Sequence, residues 1–106
     1  LLACKRLNDG GASSAALDIR KVVENAILTS ASTVILAHNH PTGPALPSAT
    51  DQLTTLKIMQ LLAPAGISIL DHIIVAGENA CSMADRGRLP DISAHPGILN
   101  AASTDF

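Results

Sequence analysis

Two apolar runs rich in β-branched residues stand out along the chain. Residues 33–37 read Thr-Val-Ile-Leu-Ala and residues 67–76 read Ile-Ser-Ile-Leu-Asp-His-Ile-Ile-Val-Ala. Runs this short and this apolar predict strands buried on both faces. Residues 17–30 instead carry apolar side chains at helical spacing. Leu17, Val22, Val23, Ala26 and Ile27 share a face, with Arg20, Lys21 and Glu24 mainly outside it. A second helix is predicted from Ser48 to about residue 63, where Pro64 and Gly66 stop it. Pro41, Gly43, Pro44 and Pro47 make residues 38–47 a loop. Residues 1–7 can finish a strand, Asn8-Asp9-Gly10-Gly11 turns, Gly77-Glu78-Asn79 turns again, and residues 80–84 return as a short strand. Alternating strands and helices predict an α/β domain, a small mixed sheet flanked by helices. The pattern fades after Arg86, and residues 90–106, rich in Ala, Ser, Pro and Gly, read as an extended tail.

Composition narrows this picture. The 106 residues suit one compact domain. With 47% hydrophobic residues but one Phe and no Trp or Tyr, the core has to be aliphatic. The same lack of aromatic residues removes the usual platforms for stacking single-stranded bases. Net charge is −2, and the longest basic runs are the pairs Lys5-Arg6 and Arg20-Lys21, so DNA binding by this domain alone is not expected. Cys4 and Cys81 belong to no metal-binding or redox pattern and read as buried thiols. No apolar run approaches the roughly 20 residues of a membrane span, and no signal peptide is visible, so the expected compartment is the cytoplasm. The start, Leu1-Leu2-Ala3-Cys4, lacks Met and reads as a strand already under way, which suggests a fragment. Edge strands at residues 1–7 and 67–76 would make a homodimer plausible.

The chemistry gathers in and beside the loop. His38-Asn39-His40 leaves the carboxyl end of the first apolar run, where open α/β sheets place ligand sites. In extended chain, residues i and i+2 point the same way, so both imidazoles can face one point. Asp51 offers a carboxylate at the start of the next helix. Two imidazoles, one carboxylate and an open fourth position suit catalytic zinc; iron and manganese are the alternatives. Ser48 stands three residues before Asp51 and reads equally as the first half of a capping box. The cap would fix the first helical turn and aim Asp51. Asp71-His72 interrupts the second apolar run. It is either a pair of outer partners to the metal ligands or a local structural hydrogen bond, with the structural reading favoured.

These residues carry a family resemblance. His38-Asn39-His40-Pro41, six residues, then Ser48-Ala49-Thr50-Asp51 resembles the JAMM motif. Its form is similar to that of the RadC family, which has a His-Asn-His-Pro-Ser-Gly signature and a later Leu-Asp-His-Ile-Ile segment, here Leu70-Asp71-His72-Ile73-Ile74. Ser82 and Arg86-Gly87 match the ending of that pattern, so the resemblance spans residues 1–89. It implies a Jab/MPN domain of cytidine deaminase-like architecture, missing its first strand. It further implies zinc held by His38, His40 and Asp51, catalytic help from Ser48, a glutamate base on an early strand, and hydrolysis of a peptide or isopeptide bond.

The sequence departs from that pattern in two places. Thr42 stands where the family has Ser, and no residue matches the glutamate. Glu24, the one Glu before the loop, lies on the polar side of its predicted helix. The expected function is therefore a zinc metallopeptidase-like domain of a DNA repair protein, the chemistry belonging to the intact protein. The alternative is a non-catalytic, metal-stabilised binding module in DNA repair or recombination.

Overall fold

The structure is a computed structural model and describes residues 18–41 and 43–94. The strand expected at residues 1–7, the turn after it, Cys4, Thr42 and most of the expected tail lie outside the described residues. Helix α1 (Ile19–Leu28) begins where the Asp18 carboxylate accepts the Lys21 N–H at 3.2 Å. It ends at Thr29, whose hydroxyl donates to the Asn25 carbonyl at 2.7 Å. Val22 and Ala26 form its buried stripe. Strand β1 (Thr33–Asn39) follows, then helix α2 (Ala49–Leu62), strand β2 (Ser68–Ala76) and strand β3 (Asn79–Ser82). The sheet order is β1-β2-β3, β1 parallel to β2 and β3 antiparallel. A parallel pair needs a long crossover, and α2 supplies it. Pro64 begins the stop of α2, and Gly66 completes it at φ 74°, a left-handed conformation that a β-carbon disfavours.

The ladder between β1 and β2 slips once. Val34 faces Ile69 but Ile35 faces Asp71, leaving Leu70 as an extra residue on β2. Side chains alternate along a strand, so one extra residue inverts everything after it. Ile69 is buried, Leu70 is exposed, and the buried set resumes at His72, Ile74 and Ala76. Without the slip Asp71 would point inward.

The core is aliphatic, as composition requires. Val22, Ala26, Leu36, Ile58, Met59, Leu62, Ile67 and Ile69 form one cluster. Ile92 and Leu89 pack against it, and residues 92–94 make a 3-10 turn. The stretch from Pro90, expected to be extended, thus begins by folding onto the core, because Ile92 finds apolar surface there. Ile58 is fully buried. Its replacement by alanine removes packed methyl groups that the surrounding structure cannot fully refill, and should cost about 2–5 kcal/mol in urea-induced unfolding. A loss under about 1 kcal/mol would mean that α2 is not packed as described.

Candidate metal centre

The end of β1 sets the two imidazoles. Leu36 and His38 lie on the same face two residues apart, while Asn39 is exposed. The His40 backbone N–H donates to the Val75 carbonyl at 2.7 Å and carries the pairing one residue past the strand. His40 is thus fixed to β2 before the loop departs.

The start of α2 sets the carboxylate. Ser48 is the N-cap: its Oγ accepts the Asp51 N–H at 3.0 Å, and its own N–H donates to Asp51 Oδ2 at 2.8 Å. This is the reciprocal capping box read from the sequence. Asp51 is 5% exposed. Burial would raise its pKa, but the Ser48 hydrogen bonds and the adjacent His38 and His40 rings hold it below the ordinary carboxylate value.

His38, His40 and Asp51 converge, with one ligating atom from each lying within 4.8 Å of the others. Asp51 divides its oxygens between the rings. Oδ1 lies 3.2 Å from His38 Nδ1 and Oδ2 lies 3.0 Å from His40 Nε2. The His40 contact has hydrogen-bond geometry, whereas neither nitrogen of His38 has a hydrogen-bond partner although both are buried. On its far side His40 Nδ1 lies 3.4 Å from the Pro44 carbonyl. If that nitrogen holds the proton, Nε2 meets Asp51 with a lone pair, two acceptors facing each other. A cation among the three groups satisfies all of them at once, and two nitrogens with one oxygen are a zinc-type donor set. Burial lowers the pKa of His38 against the pull of Asp51, favouring the neutral ring that ligates.

The structure splits Asp71 from His72. Asp71 accepts the backbone N–H groups of His72 at 2.7 Å and Ala84 at 2.9 Å, and the Ser82 hydroxyl besides. It ties the turn after β3 to β2, the structural role favoured from the sequence. His72 points the other way and is fully buried, its Nδ1 2.6 Å from Thr55 Oγ1 and its ring 5.8 Å from that of His38. Its pKa is pushed down to about 4, by burial first and then by the His38 ring. Thr55 had no sequence signal beyond standing one helical turn after Asp51, which is what places it on the same stripe. Cys81 is buried, as expected. Glu24 lies on the exposed side of α1, paired with Arg20 at 2.9 Å. Glu78, the chain's other glutamate, is exposed in the turn between β2 and β3. An open groove of about 550 Å³ runs between Pro44–Leu46 and Asn79–Ser82, but none of the three converging residues lines it.

A parallel βαβ unit with paired imidazoles at the strand end and a capped carboxylate opening the helix defines a small α/β domain compatible with the Jab/MPN fold. The chain belongs to the RadC-like JAB domain family, whose family model matches residues 1–88. It is 47% identical over 87 residues to a UPF0758 protein of Bordetella avium, a match covering 82% of this chain and 39% of that protein. A UPF0758 protein of Pseudoalteromonas translucida is 49% identical over 78 residues, 74% of this chain and 35% of its own length. One from a Janthinobacterium species is 40% identical over 89 residues, 84% and 40% respectively. The chain therefore spans about two fifths of the length of the curated relatives it matches. No helix among the described residues is long and apolar enough to cross a membrane.

Proposed function

We propose that this domain is the metal-holding part of a zinc-dependent amide hydrolase that cleaves a peptide or isopeptide bond. The observation that carries this reading is the convergence of His38, His40 and Asp51, with both buried His38 nitrogens left without a well-formed hydrogen bond. When bound there, zinc lowers the pKa of a water to about 7 and polarises a carbonyl. The chain's own residues supply the rest of the frame. Asp51 balances the charge, and Ser48 holds Asp51 in place. Ser48 is itself exposed, so its hydroxyl can donate to the oxygen that gains charge on the cleaved carbonyl. A carboxylate base must take the proton of the attacking water, and neither Glu24 nor Glu78 stands beside the cluster.

That last point favours a second reading, a non-catalytic module stabilised by its metal and serving DNA repair or recombination. One set of measurements separates the two. Protein purified under zinc-replete conditions should carry one zinc by elemental analysis, and His38→Ala should carry none. The full-length protein should then cleave peptide or isopeptide substrates, lose that activity to a chelator, and regain it with zinc. Zinc that raises the melting temperature without any cleavage supports the module. Metal-free protein with no rise in melting temperature on adding zinc would defeat both.

A further inference from the structure

We propose that His72 is a positioning residue for the metal centre. Its Nε2 accepts the imidazole N–H that His38 keeps once the other His38 nitrogen is turned to the ion. The proposal rests on the metal-site reading above.

The proton positions follow from Thr55. Its Oγ1 lies 2.7 Å from the Asp51 backbone carbonyl and 2.6 Å from His72 Nδ1. A hydroxyl has one proton to donate. Given to His72, it would leave Oγ1 against the Asp51 carbonyl oxygen, two acceptors at 2.7 Å. Given to the carbonyl, it lets Oγ1 accept a proton from His72 Nδ1, and both contacts are satisfied. A helical threonine commonly donates to the carbonyl four residues back. His72 then carries its proton on Nδ1, and its Nε2 is an acceptor.

That acceptor is fully buried and has no partner. Beside it, with ring centroids 5.8 Å apart, lies His38, whose Nδ1 is turned to Asp51 at 3.2 Å and whose buried Nε2 also lacks a partner. A buried polar atom without a hydrogen bond costs on the order of 1–3 kcal/mol, so the structure would leave two such groups side by side. A metal-bound imidazole uses one nitrogen for the ion and must place the N–H of the other, and ligating histidines nearly always give it to an acceptor. His72 Nε2 is such an acceptor, and Thr55 fixes its tautomer. The chain of contacts closes on itself: Asp51 ligates through its carboxylate, and its backbone carbonyl, through Thr55 and His72, orients His38. The ladder slip at Leu70 is what turns His72 to this face.

The test uses zinc affinity and nuclear magnetic resonance, with no need for turnover. In zinc-loaded protein with nitrogen-15-labelled histidine, His38 should show one protonated nitrogen with scalar coupling across the hydrogen bond to His72 Nε2. His72→Phe, which keeps the ring and removes the acceptor, should weaken zinc binding by about 10–100-fold in chelator competition. His72→Gln, able to offer an amide oxygen near the lost Nε2, should recover most of that. Absent coupling in zinc-loaded wild-type protein overturns the proposal, and this measurement stands even if the phenylalanine variant fails to fold. So does a folded His72→Phe protein that binds zinc as tightly as wild type; in both cases the metal site itself survives. Wild-type protein that takes up no zinc overturns the site reading and the proposal together.

Discussion

Asp51→Asn should strip zinc from the protein while leaving the metal-free fold almost as stable as before. Asp51→Ala should lose both. The difference follows from the three jobs that Asp51 performs. Its carboxylate lies between His38 and His40, its Oδ2 accepts the Ser48 N–H, and its carbonyl receives the Thr55 hydroxyl. Asparagine keeps a carbonyl oxygen for Ser48, so the capping box survives, but it removes the negative charge from the donor set. The loss of a ligand should weaken zinc by more than the roughly 10–100-fold typical of an outer partner. Alanine also removes half of the cap, and caps are worth about 0.5–2 kcal/mol. Ser48→Ala gives the complement, a cap loss of about 1 kcal/mol with zinc retained at reduced affinity. Zinc content by elemental analysis, with melting curves in excess chelator, separates these outcomes. An asparagine variant with wild-type zinc affinity would remove Asp51 from the ligand set.

The metal-free protein should lose stability steeply as pH falls from about 6.5 to about 4, beginning about two pH steps above the range where ordinary carboxylates protonate. His72 is the main source. Its folded pKa is pushed from 6.5 down to about 4, so in that window the unfolded chain binds a proton that the folded chain refuses. Stability then rises with pH across the window and is fully present above the unfolded value. At 1.36 kcal/mol for each pH step between the two values, His72 alone contributes up to about 3 kcal/mol. His38, lowered for the same first reason of burial, adds in the same direction. Further down, Asp51 and Asp71 take over. Both are held below their ordinary value, so their contribution is present above the unfolded value near 3.8 and is lost as pH falls through the folded one. Urea midpoints measured from pH 7 to pH 4 in chelator should show this slope, and His72→Phe should flatten its upper part. A wild-type profile level down to pH 4.5 would contradict the burial of a neutral His72.

Much of the site could be read from the chain because it depends on local rules. His38 and His40 share a face since extended chain repeats every two residues, and the structure keeps Asn39 outside as expected. Ser48 and Asp51 form the capping box their spacing suggests, and helix α2 starts and stops within a residue of the expected limits. What escaped is non-local. Nothing in Leu70-Asp71-His72 announces a ladder slip, so strand alternation could not say which of the two polar residues faces inward. Thr55 looks like any helical threonine until β2 brings His72 against it. Ile92 falls in a stretch whose composition suggests an extended tail, and only the apolar surface of the core explains its turn. Glu24, by contrast, is the solvated helix residue that its place on the polar side of the helix predicts, paired with Arg20 one turn away.

Leu70 illustrates a separation between what a residue is and that it is there. Its side chain is 62% exposed and packs into nothing that the core depends on. Exchanging it for another strand-compatible residue should therefore pass almost unnoticed. Deleting it would remove the slip and yet keep Asp71 opposite Ile35 and His72 opposite Leu36, so His72 would still face Thr55 and His38. The opposite lesion is the damaging one: a ladder made regular with Leu70 retained would swing Asp71 inward and turn His72 away. The geometry beneath the two histidines is in this sense counted out rather than spelled out. It depends on whether the count of residues in β2 and the slip in its ladder match, at a position where the letter itself is nearly free.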